Sequence, residues 1–188
     1  MEKIKNFEEY QELAVRTIVD LGGDEANMFH MNIGVVTEIG ELLDPFKKNF
    51  AYGKEIDWVN VGEELADICW YIAGKNWVHT EKFTDKKEME RVSQAIKQAI
   101  EKGKEIAEIF QGEKKDKAAF VTFNLFAGEE GTLNTLNRIY AYCIYADLDF
   151  WQLLTNNIEK LKVRYPEKFT QEKAVNRDLD SEREQIEK

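Results

Sequence analysis

The sequence is poor in residues that interrupt helices and in residues that form disulfides or bind soft metals. Of its 188 residues, two are proline, eleven glycine, two cysteine and two histidine. So few prolines and glycines leave room for long helices. Cys69 and Cys143 both fall in helical apolar patterns, which favours buried thiols over a disulfide. His30 and His79 are too far apart in sequence to indicate a paired-histidine metal site.

The chain also lacks a signal peptide and any apolar run long enough to cross a membrane. We therefore expect a cytoplasmic protein with no membrane partner. A net charge of −10 disfavours binding to nucleic acid through a general basic surface. It does not exclude an anionic substrate, because local lysines and a bound metal set the field inside a cleft. No P-loop, G-x-G-x-x-G motif or nucleophile triad is found.

What the chain has is a helical apolar period along most of its length. Hydrophobic residues make up 43% and charged residues 33%, which is typical of a helix-rich globule, and one domain over 1–188 is the default. Helices are predicted over 7–21, from Asp24 or Asn27 to about Phe50, from Asp57 to Trp77, over 131–146 and over 150–164.

Breaks in this pattern mark the helix ends. Gly22 and Gly23 end the first helix, Pro45 predicts a bend or break in the second, and Pro166 ends the helix over 150–164. The polar tail from Phe169 is predicted either to dock as a final helix or to remain partly disordered.

Residues 78–128 form an insertion of a different character. Its first part, 85–111, is a highly charged helical pattern, and a lysine run at 114–117 precedes a piece that is ambiguous between helix and strand. The insertion is either a helical hairpin or lid-like excursion, or an extension that serves packing or oligomerisation. Of the two, the extension is favoured.

Two pairs of carboxylates stand out at helical spacing. Glu38 and Glu41 lie on the border of one apolar stripe, and Glu64 and Asp67 lie on the border of the next. If the two helices pack side by side, four acids gather at the edge of a core, where they repel one another and lose hydration. A divalent cation removes that conflict. Oxygen ligands alone predict a hard ion, Mg²⁺ with Mn²⁺ as a surrogate, whereas ordinary solvated glutamates are the alternative.

These residues resemble a known family. E-I-G-E at 38–41, then 22 residues, then E-L-A-D at 64–67 fits the E-x-x-E…E-x-x-D signature of the all-α nucleoside triphosphate pyrophosphohydrolases, which include MazG, the dimeric dUTPases and phosphoribosyl-ATP pyrophosphohydrolase. The stretches YQELAVRT, GVVTEIGELLD, YGKEIDWVNVGEELADICWYIA and NIEKLKVRYPEKF resemble MazG-like proteins in particular. The likeness covers roughly 7–77 and 130–170. Thr37 departs from it, because the usual first motif opens with two adjacent acids.

The resemblance implies a four-helix-bundle-type core with the insertion and a C-terminal tail helix, assembled as a homodimer or homotetramer. It also implies Mg²⁺-dependent hydrolysis of a nucleoside triphosphate, with a deoxynucleotide favoured, to the monophosphate and pyrophosphate. The four motif acids would hold metal, and Glu41 would orient the attacking water. A dUTPase-like enzyme, or a non-catalytic helical module that binds metal or nucleotide, is the alternative.

Cationic and amide side chains outside the acidic motifs are candidates for substrate binding. Asn157, Lys160 and Arg164 share one helix face and offer hydrogen-bond donors that suit a triphosphate or a base edge. The resemblance assigns N-x-x-K to nucleotide binding, whereas spacing alone indicates a solvated face. Lys54 follows the first acidic pair and could meet phosphate oxygens, although a solvated cation near a helix end is an equal alternative.

Overall fold

A computed structural model describes residues 1–80 and 132–187, and every regular element among them is helical. The helices are α1 (Phe7–Ala14), α2 (Asp24–Tyr52), α3 (Trp58–Thr80), α4 (Thr132–Ala146), α5 (Phe150–Arg164), α6 (Gln171–Val175) and α7 (Leu179–Ile186). A short 3₁₀ turn, Val15–Thr17, follows α1. The all-α prediction is confirmed for these residues. None of the described helices is both long and apolar enough to cross a membrane.

Local capping explains where the first and third helices begin. The side chain of Asn6 accepts a hydrogen bond from the Glu9 N–H at 2.9 Å, and the predicted cap Asp57 accepts one from the Asn60 N–H at 3.0 Å. Such caps satisfy N–H groups that have no partner within the helix. The first helix is shorter than predicted, because the chain tightens into the 3₁₀ turn after Ala14.

The proline in the second helix does not end it. α2 runs unbroken from Asp24 to Tyr52 with Pro45 inside, so the predicted break is absent. A proline removes one backbone donor and crowds the carbonyl four residues before it, but α2 continues as a helix on both sides of Pro45. The helix ends at Tyr52, and the next residue, Gly53, has a left-handed φ of +66° and donates its N–H to Asn49 O at 3.0 Å.

The described residues fall into two compact units. One comprises 1–42, 57–80 and 151–187, and the other comprises 43–56 and 132–150. The first unit buries apolar side chains of α1, α2, α3 and α5 and of the segment before α1, among them Ile4, Tyr10, Met31, Leu65, Ile68, Leu154 and Ile158. In the second, Leu136, Ile139 and Cys143 are buried along one side of α4. Cys69 and Cys143 are both free and buried, as predicted.

The C-terminal tail, for which two outcomes were left open, is helical. It forms α6 and α7, and both helices begin with a side-chain cap: Thr170 accepts from Lys173 N, and Asp178 from Ser181 N. The predicted insertion, from residue 81 onward, lies outside the described residues. The single-domain organisation over 1–188 with this insertion therefore stays a prediction.

Candidate metal centre

Close packing of α2 against α3 is made possible by a glycine. A Cβ placed on Gly34 would lie 2.0 Å from Cε1 of Tyr71, so no larger residue fits there without displacing the tyrosine ring. One or two turns further along, α2 carries Glu38 and Glu41, and α3 carries Glu64. Each of these three acids offers an oxygen that lies within 4.8 Å of the others. The structure thus brings together three of the four predicted metal ligands.

The two inner acids of this cluster conflict electrostatically. Burial, reinforced by the nearby charge of Asp67, raises the pKa of Glu64 to about 9 and that of Glu38 to about 7. A hydrogen bond joins the two carboxyl groups, and it favours a proton on Glu64. Within the described residues no lysine or arginine forms an ion pair with Glu38, Glu41 or Glu64. This cluster, Glu38–Glu41–Glu64, is called the acidic cluster below.

The fourth predicted ligand, Asp67, has a different environment. Lys160 Nζ lies 2.7 Å from Oδ1 and 2.6 Å from Oδ2 of Asp67, and Asn157 Nδ2 donates to Oδ1 at 2.5 Å. Asn157 is itself held by the Tyr10 hydroxyl, which donates to Asn157 Oδ1 at 2.8 Å. Lys160 also contacts Glu63 at 3.2 Å. Lys160 therefore compensates the negative charge of Asp67, whereas no ion-pair partner compensates the acidic cluster within the described residues.

This environment corrects the expectation for the face of α5. Spacing alone indicated a solvated face, but Asn157 and Lys160 are each only 2% exposed. Lys160, a candidate for substrate binding, is bound to Asp67, one of the predicted metal ligands. Burial favours the neutral amine, but attraction by Asp67 and Glu63 outweighs it and raises the pKa of Lys160. A buried ammonium needs such partners, because an unpaired one would be too costly.

A cavity of about 320 Å³ lies over the acidic cluster within the first unit. Its lining combines the acids of α2 and α3 with Arg164, the aromatic residues Trp70, Tyr71, Tyr165 and Phe169, and Arg177 of the tail. Trp70 is oriented by a hydrogen bond from Nε1 to Thr17 Oγ1 at 2.9 Å. The cavity therefore offers carboxylates, guanidinium groups and aromatic surface to a single ligand.

Two of the aromatic groups bear on what the cavity can recognise. Burial and the charge of Glu38 raise the pKa of Tyr71 to about 12, so its hydroxyl keeps its proton. His30 also lines the cavity, where burial lowers its pKa and favours the neutral ring. Its buried Nδ1 has no hydrogen-bond partner among the described residues. His30 is thus part of the cavity wall, and its unpartnered nitrogen could bond a ligand.

The two arginines that line the cavity are held by Glu182, a carboxylate that was not predicted as a site residue. Arg164 donates to both oxygens of Glu182, through Nε at 2.9 Å and through Nη2. Arg177 donates to Glu182 Oε2 through Nη2 at 2.8 Å and Nε at 3.3 Å. Burial by itself raises the pKa of Glu182, but the two arginines outweigh it and lower that pKa to about 2. Arg164, Arg177 and Glu182 are called the arginine clamp below.

The remaining predicted residue, Lys54, belongs to the second unit. It is exposed in the connection after α2, where its carbonyl accepts from Asn49 Nδ2 at 2.5 Å. Arg177 and Glu182 were not predicted as site residues because they lie in a tail without a strong apolar stripe. One signal for that helix was present, since Asp178 and Ser181 have the spacing of a side-chain cap.

Taken together, these groups can bind a hard cation at one part of the cavity and an anion at another. A ligand that combines both needs, such as a metal-bound polyphosphate, matches this distribution of charge. Comparison of the chain with protein-family models, with curated proteins and with solved structures finds no match.

Proposed function

We propose that this protein is a Mg²⁺-dependent pyrophosphohydrolase that cleaves a nucleoside triphosphate to the monophosphate and pyrophosphate. The observation that carries the proposal is the acidic cluster, three carboxylates from two helices with oxygens within 4.8 Å of one another. It belongs to the motif E-I-G-E…E-L-A-D that resembles the MazG-like proteins. A role in nucleotide-pool control or house-cleaning follows from the same resemblance.

The residues present fit a magnesium ion. Their ligand atoms are all oxygens, which suits a hard cation. The raised pKa values of Glu38 and Glu64 indicate negative charge that the protein itself leaves uncompensated. Asp67 accepts three hydrogen bonds, and a carboxylate offers about four acceptor sites, so it can serve as the fourth ligand beside Lys160.

Each protein group has a task in the proposed reaction. When bound, Mg²⁺ supplies charge neutralisation for phosphate oxygens and a more acidic bound water. Glu38, Glu41, Glu64 and Asp67 would hold the ion, and Glu41, the exposed member of the acidic cluster, would also orient the attacking water. Arg164 stabilises the departing pyrophosphate. Asn157 and Lys160, proposed from sequence to touch substrate, act by fixing Asp67. Lys54 remains a candidate for phosphate binding.

The finer description of the assembly is also part of the proposal. We propose a four-helix-bundle-type core and a homodimer or homotetramer in the cytoplasm. Phe29, Ile33 and Val36 support the oligomer, because they are 67%, 48% and 66% exposed and lie at helical spacing along α2. Light scattering that shows an active monomer at micromolar concentration would contradict the oligomer.

A nucleotide panel tests the activity. The protein is incubated with each canonical ribonucleoside and deoxyribonucleoside triphosphate and with dUTP, in Mg²⁺ and inorganic pyrophosphatase, and phosphate release is measured. We expect release with one or more triphosphates and none with Glu38→Gln. Activity confined to dUTP would favour the dUTPase-like alternative. No activity with any nucleotide, together with measurable Mg²⁺ binding, would favour a non-catalytic module.

A further inference from the structure

The arginine clamp is more than a contact that holds the tail in place. Glu182 is 3% exposed, whereas the Arg164 and Arg177 side chains are 16% and 40% exposed. Both arginines line the cavity that contains the acidic cluster, and Glu182 does not. The buried carboxylate therefore anchors two guanidinium groups whose other sides reach the cavity.

The two arginines of the clamp keep N–H donors that could bind a ligand. A guanidinium has five N–H donors in one plane. Each arginine directs two nitrogens to Glu182, and no other hydrogen bond from either guanidinium is found in the described part of the chain. About three donors on each side chain are left for another acceptor. With two cations and one anion, the clamp also keeps a net positive charge.

The position of this charge suits one class of ligand. Both arginines of the clamp line the same cavity as Glu38, Glu64 and Asp67, so the clamp lies close to the acids. A cation at the acidic cluster and free guanidinium donors near it are complementary to a polyphosphate chain that carries a metal at one part and free oxygens at another. Planar guanidinium groups bind such oxygens in a bidentate manner.

The clamp depends on docking of the tail. α7 is joined to the rest of the first unit by Asn156 Nδ2, which donates to Ile186 O at 3.1 Å, and by Arg183, which pairs with Asp57 at 3.6 Å. Asp178 caps the same helix and follows Arg177 directly. Docking of the tail thus presents Glu182 to Arg164 and brings Arg177 to the cavity.

We infer that Arg177 and Arg164 form a binding subsite for the terminal phosphates of a polyphosphate ligand, and that Glu182 is the positioning residue that orients both. The C-terminal segment is then part of the ligand site and not only packing. This inference rests on the proposed function for the identity of the whole ligand. The subsite itself can be tested without any reaction.

Calorimetry with inorganic pyrophosphate in EDTA provides that test. Arg177→Gln should weaken pyrophosphate binding about ten- to a hundredfold, because it removes charge-assisted hydrogen bonds. Lys173→Gln is the matched control, since it removes the same charge from the same tail at an exposed side chain that neither lines the cavity nor docks α7. It should change the affinity less than about twofold. Equal affinities for wild type and Arg177→Gln would overturn the subsite.

Glu182→Gln separates positioning from simple electrostatics. The substitution makes the clamp more positive, so electrostatics alone would tighten pyrophosphate binding. If Glu182 positions the arginines, binding should weaken about tenfold while the protein stays folded. Circular dichroism confirms folding at the assay temperature, and Glu182→Asp, which keeps a carboxylate, should recover part of the affinity. Tighter binding by Glu182→Gln would overturn the positioning role.

The two proposals fail in different ways. If no nucleotide is hydrolysed but Arg177→Gln still loses pyrophosphate binding, the pyrophosphohydrolase proposal fails and the subsite stands. If nucleotide is hydrolysed and Arg177→Gln retains both pyrophosphate affinity and wild-type KM, the activity stands and the subsite is wrong.

Discussion

Glu64 and Glu182 are nearly equally buried, at 6% and 3% exposed, and yet their pKa values move in opposite directions. Glu182 receives two arginines and its pKa falls to about 2. At Glu64, burial is reinforced by the negative charges of Asp67 and Glu38, and the pKa rises to about 9. Burial raises a carboxyl pKa in both places, so the partners decide the outcome.

The difference separates a carboxylate that stabilises the fold from one that is available for binding. At Glu182 the protein supplies its own cations, and the charge holds the tail. At the acidic cluster the protein supplies none within the described residues, and the cost of gathering these carboxylates remains until a cation or a proton compensates it. Asp67 lies between these extremes, because Lys160 and Asn157 already satisfy most of its acceptor sites.

The largest expected effect comes from removing a proposed metal ligand. Glu38→Gln and Asp67→Asn should each reduce nucleotide hydrolysis below detection, because each removes a proposed metal ligand. The measurement is phosphate release with the best nucleotide of the panel. Glu12→Gln, an exposed acid on α1, is the control and should keep full activity. Near-normal turnover in either ligand variant would show that the assignment of ligands is wrong.

The next effect tests the compensated acid. Lys160→Met removes the buried partner of Asp67 and Glu63 and should cost about 3 kcal/mol. For a chain of this size that corresponds to a Tm lower by roughly 6–12 °C. Lys162→Met, on the same helix and 40% exposed, should change Tm by less than about 2 °C. Equal Tm values for the two variants, measured by calorimetry, would show that Lys160 is not needed to compensate Asp67.

A smaller effect of opposite sign is expected at the acidic cluster. Without metal, Glu38→Gln relieves like-charge repulsion. At pH 8, where Glu38 is mostly ionised, this should stabilise the fold by about 1 kcal/mol and raise Tm by about 2–4 °C. Addition of Mg²⁺ should raise the Tm of wild type and leave that of the variant nearly unchanged. A metal-free variant less stable than wild type would indicate that the cluster is held by interactions other than a bound cation.

The smallest effect is a pH dependence that belongs to the arginine clamp. The folded pKa of Glu182, about 2, lies below its ordinary value of 4.5, so its contribution is present above pH 4.5 and is lost as the pH falls toward 2. The Tm difference between wild type and Glu182→Gln should therefore be largest near neutral pH. It should shrink by a few degrees on acidification. A difference independent of pH between 6 and 2.5 would contradict the ion-pair explanation.

The sequence by itself determined the helices and the pairing of acids. Apolar residues at helical spacing predict α2, α3 and α5. The bounds of these helices depend on neighbouring residues only, as Asp57 at the start of α3 and Gly53 after the end of α2 show. The placement of Glu38 and Glu41 on one side of a helix needs no tertiary information. Pro45 is the exception, because its effect depends on whether the surrounding helix is held in place.

Only the tertiary structure decided which charges meet. Contacts between Asp67 and Lys160 or between Arg164 and Glu182 join residues 93 and 18 positions apart, and no local pattern specifies them. The same spacing rule that placed Asn157 and Lys160 on one face could not tell that this face is buried. Coulomb energy depends on the distance and solvation of each pair, so a carboxylate's role as structural anchor or candidate metal ligand is set by its partners in space.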